Sequence, residues 1–430
     1  MPTPSSSSRG PRLSRRRFLA STASAGAGAV VASVGGGLLG AAGVLPSAPT
    51  HAQTQGDAPV VIPFEGVHQA GIERPGIAQP NSIVASFDLV VGDRAGLHDT
   101  LAELTTRIRA LTKGEPPPPI DPGYPPPESG ILGPSIGPSS LSVLVGLGAS
   151  AFDDRFGLAD RMPRHLRPMP HFQGDVLDPA RTHGDLVVQV CAVDEMACVH
   201  ALRYLMAGTR SALALRWTEA GFHRPDTLPT PGKTTVRNLL GFKDGTANLA
   251  PGADQFRDLV WVAEGDDEPA WATGGSYMAI RLIRMFVERW DRTPLLEQET
   301  IIGRSKRTGA PQGGHREEEL PDYAADPDGA TIALDAHIRL ANPRTADTQG
   351  SLIFRRGYSF ARGFDGAGLL DQGLMFVAFQ RDLDAGFVAV QSRLASEPLQ
   401  EYIQPQGGGF FFVLPGVVTP DGFLGEGLLA

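Results

Sequence analysis

The chain has 430 residues, 41% hydrophobic and 20% charged, with 52 Gly, 37 Pro and a formal charge of −9. This is a globular composition that can supply a sizeable core and forecasts many turns and long loops. An acidic surface repels phosphate backbones, which argues against nucleic acid as a partner.

Residues 1–52 read as an export signal. Ser14-Arg15-Arg16-Arg17-Phe18-Leu19 is a twin-arginine signature, and it opens onto an Ala/Gly/Val/Leu stretch ending near Leu45. The Gly richness and moderate hydrophobicity of that stretch favour a cleavable signal over a membrane anchor. Thr50-His51-Ala52 resembles a small-residue cleavage site, which would start the mature chain at Gln53; Ala48 is another possible cut. The segment holds five arginines and no acid, so the mature chain carries −14. Export to the periplasm or outside the cell is expected. The twin-arginine route takes folded proteins, commonly with a cofactor already installed.

Residues 53–80 read as an extended N-terminal segment containing His68-Gln69-Ala70-Gly71-Ile72. A Val- and Ile-rich run predicts a strand over 82–91. From 94 to 113, Leu97, Leu101, Leu104, Ile108 and Leu111 recur at helical spacing. Residues 114–140, with proline runs at 116–119 and 125–127, form an extended surface loop. Strands follow at 141–147, 185–192 and 213–218, with a helix at 194–206. Strand, helix, strand, strand, helix, strand is the order of a ferredoxin-like module, here assigned to residues 81–240. A comparable series recurs in 241–430, with strands at 276–288, 352–360, 374–380 and 410–414, a linker over 301–311 and a helix over 384–396. The expectation is an α+β fold of two ferredoxin-like domains with antiparallel sheets. Cys191 and Cys198 read as two buried free thiols, because too few ligands lie near them for zinc or an iron–sulfur cluster. Glu317-Glu318-Glu319 reads as a solvated acidic face.

Two stretches carry chemistry. Residues 337–358 place His337, the corner Asn342-Pro343-Arg344 and the pair Arg355-Arg356 within one span. An imidazole can bind a metal through one nitrogen while a partner holds the other, and a guanidinium is a permanent multi-donor cation. Gly241-Phe242-Lys243-Asp244-Gly245-Thr246-Ala247-Asn248 places an acid in a tight turn flanked by glycines. Taken alone, a histidine among apolar residues is more often core than ligand, and Asp-Gly is ordinary turn punctuation.

Together and in this order, behind a twin-arginine signal, these motifs resemble the dye-decolorizing peroxidase family, particularly its exported subgroup that includes deferrochelatase. The motif G-x-x-D-G is matched by Gly241, Asp244 and Gly245, the ligand motif by His337 through Arg344, and the distal arginine motif by Arg355-Arg356-Gly357-Tyr358. The resemblance implies two domains of the dimeric α+β barrel type, with one haem b per chain held mainly by the C-terminal domain. It makes His337 the proximal iron ligand and puts Asp244 and Arg355 on the distal side. Gly245, Thr246 and Ala247 would line the porphyrin, and Asn342, Pro343 and Arg344 would approach its propionates, with Arg339 a weaker candidate for that task. Hydrogen peroxide and an organic electron donor are the implied substrates, and a homodimer and an iron-uptake system are implied partners. Release of iron from haem, or non-catalytic haem carriage, are the other readings; a carrier has no need of both Asp244 and Arg355.

The chemistry of the residues agrees. An ionised Asp can take a proton from peroxide and return it to the leaving oxygen, and an Arg can stabilise the charge that develops as the O–O bond breaks. Arg356, next to Arg355 on a strand, should point to the opposite face. Asp382 is the candidate for the carboxylate that tunes His337. Trp217, Trp261, Trp271, Trp290 and Tyr358 are candidates for relaying electrons to the surface.

Overall fold

Strands read as continuous apolar runs when both of their faces are covered, and β2 (Ser142–Gly148) and β3 (Leu186–Ala192) are buried along their whole length. The computed structural model describes residues 59–116, 119, 121–134, 136–224 and 235–430, and the export signal read at residues 1–52 lies outside them. The N-terminal half runs β1 (Asn81–Leu89), α1 (Arg94–Lys113), β2, β3, α2 (Glu195–Thr209) and β4 (Leu213–Phe222). Asp93 and Asp194 cap the two helices through their carboxylates, accepting the N–H groups of Gly96 at 2.8 Å and Met196 at 3.1 Å.

The C-terminal half contains α3 (Asp254–Val260), β5 (Ser276–Met285), α4 (Val287–Trp290), α5 (Leu295–Ile302) and α6 (His337–Ala341). After these come β6 (Phe354–Arg355), β7 (Tyr358–Phe364) and β8 (Leu370–Gln380). A helical run follows, starting with a π turn over Asp384–Val388, continuing as α7 (Ala389–Arg393) and tightening at Leu394–Ser396. Strand β9 (Ile403–Val413) and α8 (Glu426–Leu429) complete the chain. No helix among the described residues is long and apolar enough to cross a membrane.

Every pairing in the sheet is antiparallel, and the order β5-β9-β2-β3-β1-β4-β7-β8 closes on itself through β8 and β5. Each half supplies four strands in ferredoxin-like order, β4-β1-β3-β2 and β7-β8-β5-β9. The halves join where β2 meets β9 at Gly146↔Val413 and where β4 meets β7 at Phe222↔Ser359. Side chains of one parity fill the barrel, among them Val84, Leu144, Val187, Ile280, Val377 and Phe411. Side chains of the other parity in the N-terminal half, such as Ala85, Val145 and Val188, pack under α1 and α2.

Several elements differ from expectation. The strand expected at 352–360 is two pieces, although Arg355↔Ala378 and Tyr358↔Met375 belong to one register along β8. The strand expected at 410–414 begins at Ile403, because the glycines at 407–409 run within the ladder instead of ending it. Gly408 takes a φ of +114°, and a Cβ there would meet the Ile280 carbonyl oxygen at 2.0 Å. Helix α5 occupies part of the expected linker, and the strand expected to reach 288 ends at Met285, where α4 begins. The two cysteines are free and buried.

Phe411 is fully buried in the barrel interior. Phe411→Ala should cost about 3–5 kcal/mol of stability, read as a lowered urea midpoint, because the interior cannot collapse around the void. A shift of a few tenths of that size would show that the barrel is not packed as described.

Candidate active site

The outward parity of the C-terminal strands forms one wall of a cavity, through Arg281 and Ile283 of β5, Leu374 and Phe376 of β8 and Arg355 of β6. The facing wall comes from α6 and the helical run, through His337, Phe387, Val390 and Leu394. About 1630 Å³ of space lies within, including the open mouth. That is room for a cofactor and not for a few waters, each of which occupies roughly 30 Å³. Every residue of the wall falls between Asn238 and Pro405.

His337 opens α6 and remains 29% exposed toward the cavity, and its Nδ1 lies 2.6 Å from Oε2 of Glu397, whose side chain is 2% exposed. Burial works against protonation of His337. The Glu397 carboxylate more than offsets it by charge and hydrogen bond, so the imidazole pKa is raised. With Nδ1 taken, Nε2 is the ring nitrogen left for a ligand. The expected carboxylate, Asp382, is elsewhere. It accepts the N–H groups of Asp384 and Ala385 at 2.7 and 3.0 Å and lies 3.4 Å from His165. Proximity in the chain does not reveal Glu397, which is brought 60 residues back by the turn between the helical run and β9.

Asp244 and Arg355 meet, with Oδ1 and Nη1 at 3.5 Å and both side chains 28% exposed. The Asp244 turn requires Gly245, whose φ is +133°. Lys243 and Thr246, on either side of it, both reach Glu317, as does Thr235; the Thr246 hydroxyl donates at 2.9 Å. Glu317 is buried, which corrects its reading as part of a solvated acidic face; Glu318 is the exposed member of that run. Burial opposes ionisation of Glu317, but Lys243 and the two hydroxyls outweigh it and lower its pKa. Arg356 faces away as expected and donates to the carbonyls of Ile72 at 2.5 Å and Pro75 at 2.8 Å. His223 accompanies this strand, stacked on Tyr358 with its Nε2 3.1 Å from the Gly357 carbonyl, and burial pushes its pKa down to about 4.

Gly245, Thr246, Ala247, Asn342 and Arg344 line the cavity, whereas Pro343 does not reach its wall. Arg344 holds a left-handed φ of 60°, which a non-glycine residue adopts at a cost of order 1 kcal/mol and mainly at functional sites. Its Nε and the hydroxyl of Tyr323 are buried on the same wall with no hydrogen-bond partner among the described residues. Arg304 is buried beside them and, among the described residues, donates only to the carbonyls of Gly309 and Glu317. Unanswered donors and uncompensated cations at one edge fit a ligand that brings carboxylates, and haem brings two. Arg339 is not part of this edge. It is occupied by Asp326, at 3.1 Å to the carboxylate, and by the Ile332 carbonyl at 2.8 Å. Of the proposed relay aromatics, Trp217, Trp261, Trp290 and Tyr358 are core residues, and Trp271 is partly buried with its N–H on the Arg161 carbonyl.

The family description "Dyp-type peroxidase, N-terminal" matches residues 69–223, and "Dyp-type peroxidase, C-terminal" matches residues 235–418. The chain is 47% identical over 404 residues to the deferrochelatase of Escherichia coli strain K12, covering 91% of this chain and 95% of that protein. It is 49% identical over 369 residues to the deferrochelatase of Shigella flexneri serotype 5b, covering 85% and 87%. Among solved structures, a DyP-type peroxidase from Cellulomonas bogoriensis superposes with a TM-score of 0.77 at 37% identity, covering 86% of this chain and 98% of that one. Ferric DtpA from Streptomyces lividans gives 0.77 at 36% identity, covering 85% and 96%.

Because the folded-state pKa of His337 is raised, its pair with Glu397 contributes stability fully below the ordinary imidazole value of about 6.5 and loses it as pH rises through the raised value. Cofactor-free protein should therefore melt at lower temperature as pH goes from 6 to 9, and Glu397→Gln should flatten that slope. Parallel melting profiles for the two proteins would refute the pairing.

Proposed function

The chain belongs to the Dyp-type peroxidase family and is a haem-dependent peroxidase, and we propose that the cavity holds the haem with His337 on the iron while Asp244 and Arg355 act on peroxide. The observation that carries this is the placing of two pairs on one cavity, the imidazole backed by a buried carboxylate and the Asp–Arg pair at 3.5 Å. Haem held there would supply the redox chemistry, the two-electron reduction of peroxide being balanced by two electrons from an organic donor.

The rest falls to side chains. Asp244 takes the proton from one peroxide oxygen and hands it to the other, which leaves as water with the electron pair of the O–O bond. Arg355 stabilises the negative charge that grows on the leaving oxygen, and as a permanent cation it does so without changing protonation. Glu397 accepts the Nδ1 proton of His337, fixing ring orientation and raising the basicity of the ligating nitrogen. Arg344 and Tyr323 would hold the propionate edge, with Asn342 Oδ1 accepting the backbone N–H of Arg344 at 3.2 Å.

Release of iron from haem is a second reading, favoured by identity of 47–49% to deferrochelatases over most of the chain. Service to an iron-uptake system belongs to that reading. Export by the twin-arginine route to the periplasm or beyond is supported by Ser14 through Leu19 and the apolar stretch after it, and a homodimer by the family resemblance.

Asp244→Asn should slow the reaction of the resting protein with hydrogen peroxide by about 10²–10⁴-fold, and Arg355→Leu by about 10²–10³-fold, each followed by stopped-flow at the Soret band. His337→Ala should lose normal haem ligation. Rates within a few-fold of the parent for both distal variants would remove the assignment. For the second reading, anaerobic incubation with haem and a reductant should yield fluorescent, metal-free porphyrin; its absence under conditions that support peroxidase turnover would leave the peroxidase reading standing alone.

A further inference from the structure

Strand β6 is two residues long and pairs on one side only, with Phe354↔Phe379 and Arg355↔Ala378 against β8. In a strand, the N–H and C=O of one residue point the same way, and those of its neighbour point the other. The Arg356 N–H turns to β8, bonding the Val377 carbonyl at 2.9 Å, so both backbone groups of Arg355 turn away from the sheet. Among the described residues no strand receives them. A single side-chain amide does: Asn248 Oδ1 accepts the Arg355 N–H at 2.8 Å, and Asn248 Nδ2 donates to the Arg355 carbonyl at 2.8 Å. The amide stands in for the missing neighbouring strand, using one donor and one acceptor as a peptide group would.

Asn248 belongs to the turn that carries Asp244, and its own N–H is bonded to the Gly245 carbonyl at 3.1 Å. On the other flank of that turn, Glu317 binds Lys243 and Thr246. The turn is therefore anchored independently of Arg355, and Asn248 is the link from it to the arginine backbone 107 residues away.

We propose that Asn248 is a positioning residue that holds Arg355 in register with Asp244 for peroxide cleavage. This rests on the reading of Asp244 and Arg355 as the cleaving pair. Asn248 is not on the cavity wall; it sets where the guanidinium begins. Misplacing a charge-stabilising group by about 1 Å can cost on the order of 10²-fold in rate.

The test is a double-mutant cycle in the haem-loaded protein, measuring the second-order rate constant with hydrogen peroxide for the parent, Asn248→Ala, Arg355→Leu and the double variant. Asn248→Ala should slow the reaction by about 10–100-fold in the parent background and by less than about 2-fold once Arg355 is already Leu. Equal losses in both backgrounds would show a general structural effect and overturn the proposal. Hydrogen exchange supplies a readout that does not depend on activity: the Arg355 amide should lose protection in Asn248→Ala, and unchanged protection would also overturn it. Asn248→Asp, which keeps the shape and the acceptor but loses the donor, covers the case in which the Ala variant does not fold; it should show a smaller loss, again confined to the Arg355 background. If Arg355→Leu itself reacts at the parent rate, the cleaving-pair reading fails, while exchange at Arg355 still reports whether Asn248 holds that strand.

Discussion

Closure of the sheet is the constraint on which the rest depends. Once β8 pairs with β5 and the two halves join at β2–β9 and β4–β7, each strand has an inside and an outside, and alternation assigns every side chain to one of them. Phe354 goes into the barrel and Arg355 out to the cavity, while Arg356 turns back to the carbonyls of Ile72 and Pro75. A slip of one residue in the register of β8 would exchange the roles of the two arginines. The short β6 is vulnerable to such a slip, and two interior side chains, its own Phe354 and Tyr358 of β7, oppose it by burial.

Charge is arranged around the cavity in pairs. His337 has Glu397, Lys243 has Glu317, Arg355 has Asp244, and Arg281 on the sheet wall has Asp175, both of the last pair almost wholly buried. Removing one partner of such a pair strands the other charge, a cost of several kcal/mol where both are buried. Arg304 and Arg344 are the exceptions, with no acid bound to either among the described residues. Burial lowers the pKa of Arg304, with the neighbouring Arg344 and Arg355 adding repulsion. On the proposed reading the carboxylates of haem would complement this positive edge, so loading the cavity would both fill space and balance charge.

Legibility followed the range of the interaction. Helix α1 lies where the spacing of Leu97, Leu101, Leu104, Ile108 and Leu111 puts it, and β1 to β4 lie within a few residues of expectation, because burial of one face imprints a period on local sequence. Strand β9 was less legible, since three successive glycines imitate a loop unless the tight approach of β5 is known. Glu317 looked solvated because its neighbours are acidic, and its burial comes from Lys243, 74 residues away. Asp382 and Glu397 are equally plausible partners for His337 in one dimension; the choice between them is made by the fold.

The sequence by itself determined the class of fold and brought His337, Asp244 and Arg355 forward as candidates through motifs that resemble a family, because turn glycines, strand alternation and motif order are local properties. Tertiary structure decided which carboxylate backs the imidazole, which guanidiniums are left open to a cofactor, and that an amide from the Asp244 turn completes the edge of β6. Those outcomes depend on hydrogen bonds of 2.6–2.8 Å between residues 60 and 107 positions apart. A bond of that length specifies a distance in space, and no spacing along the chain encodes it.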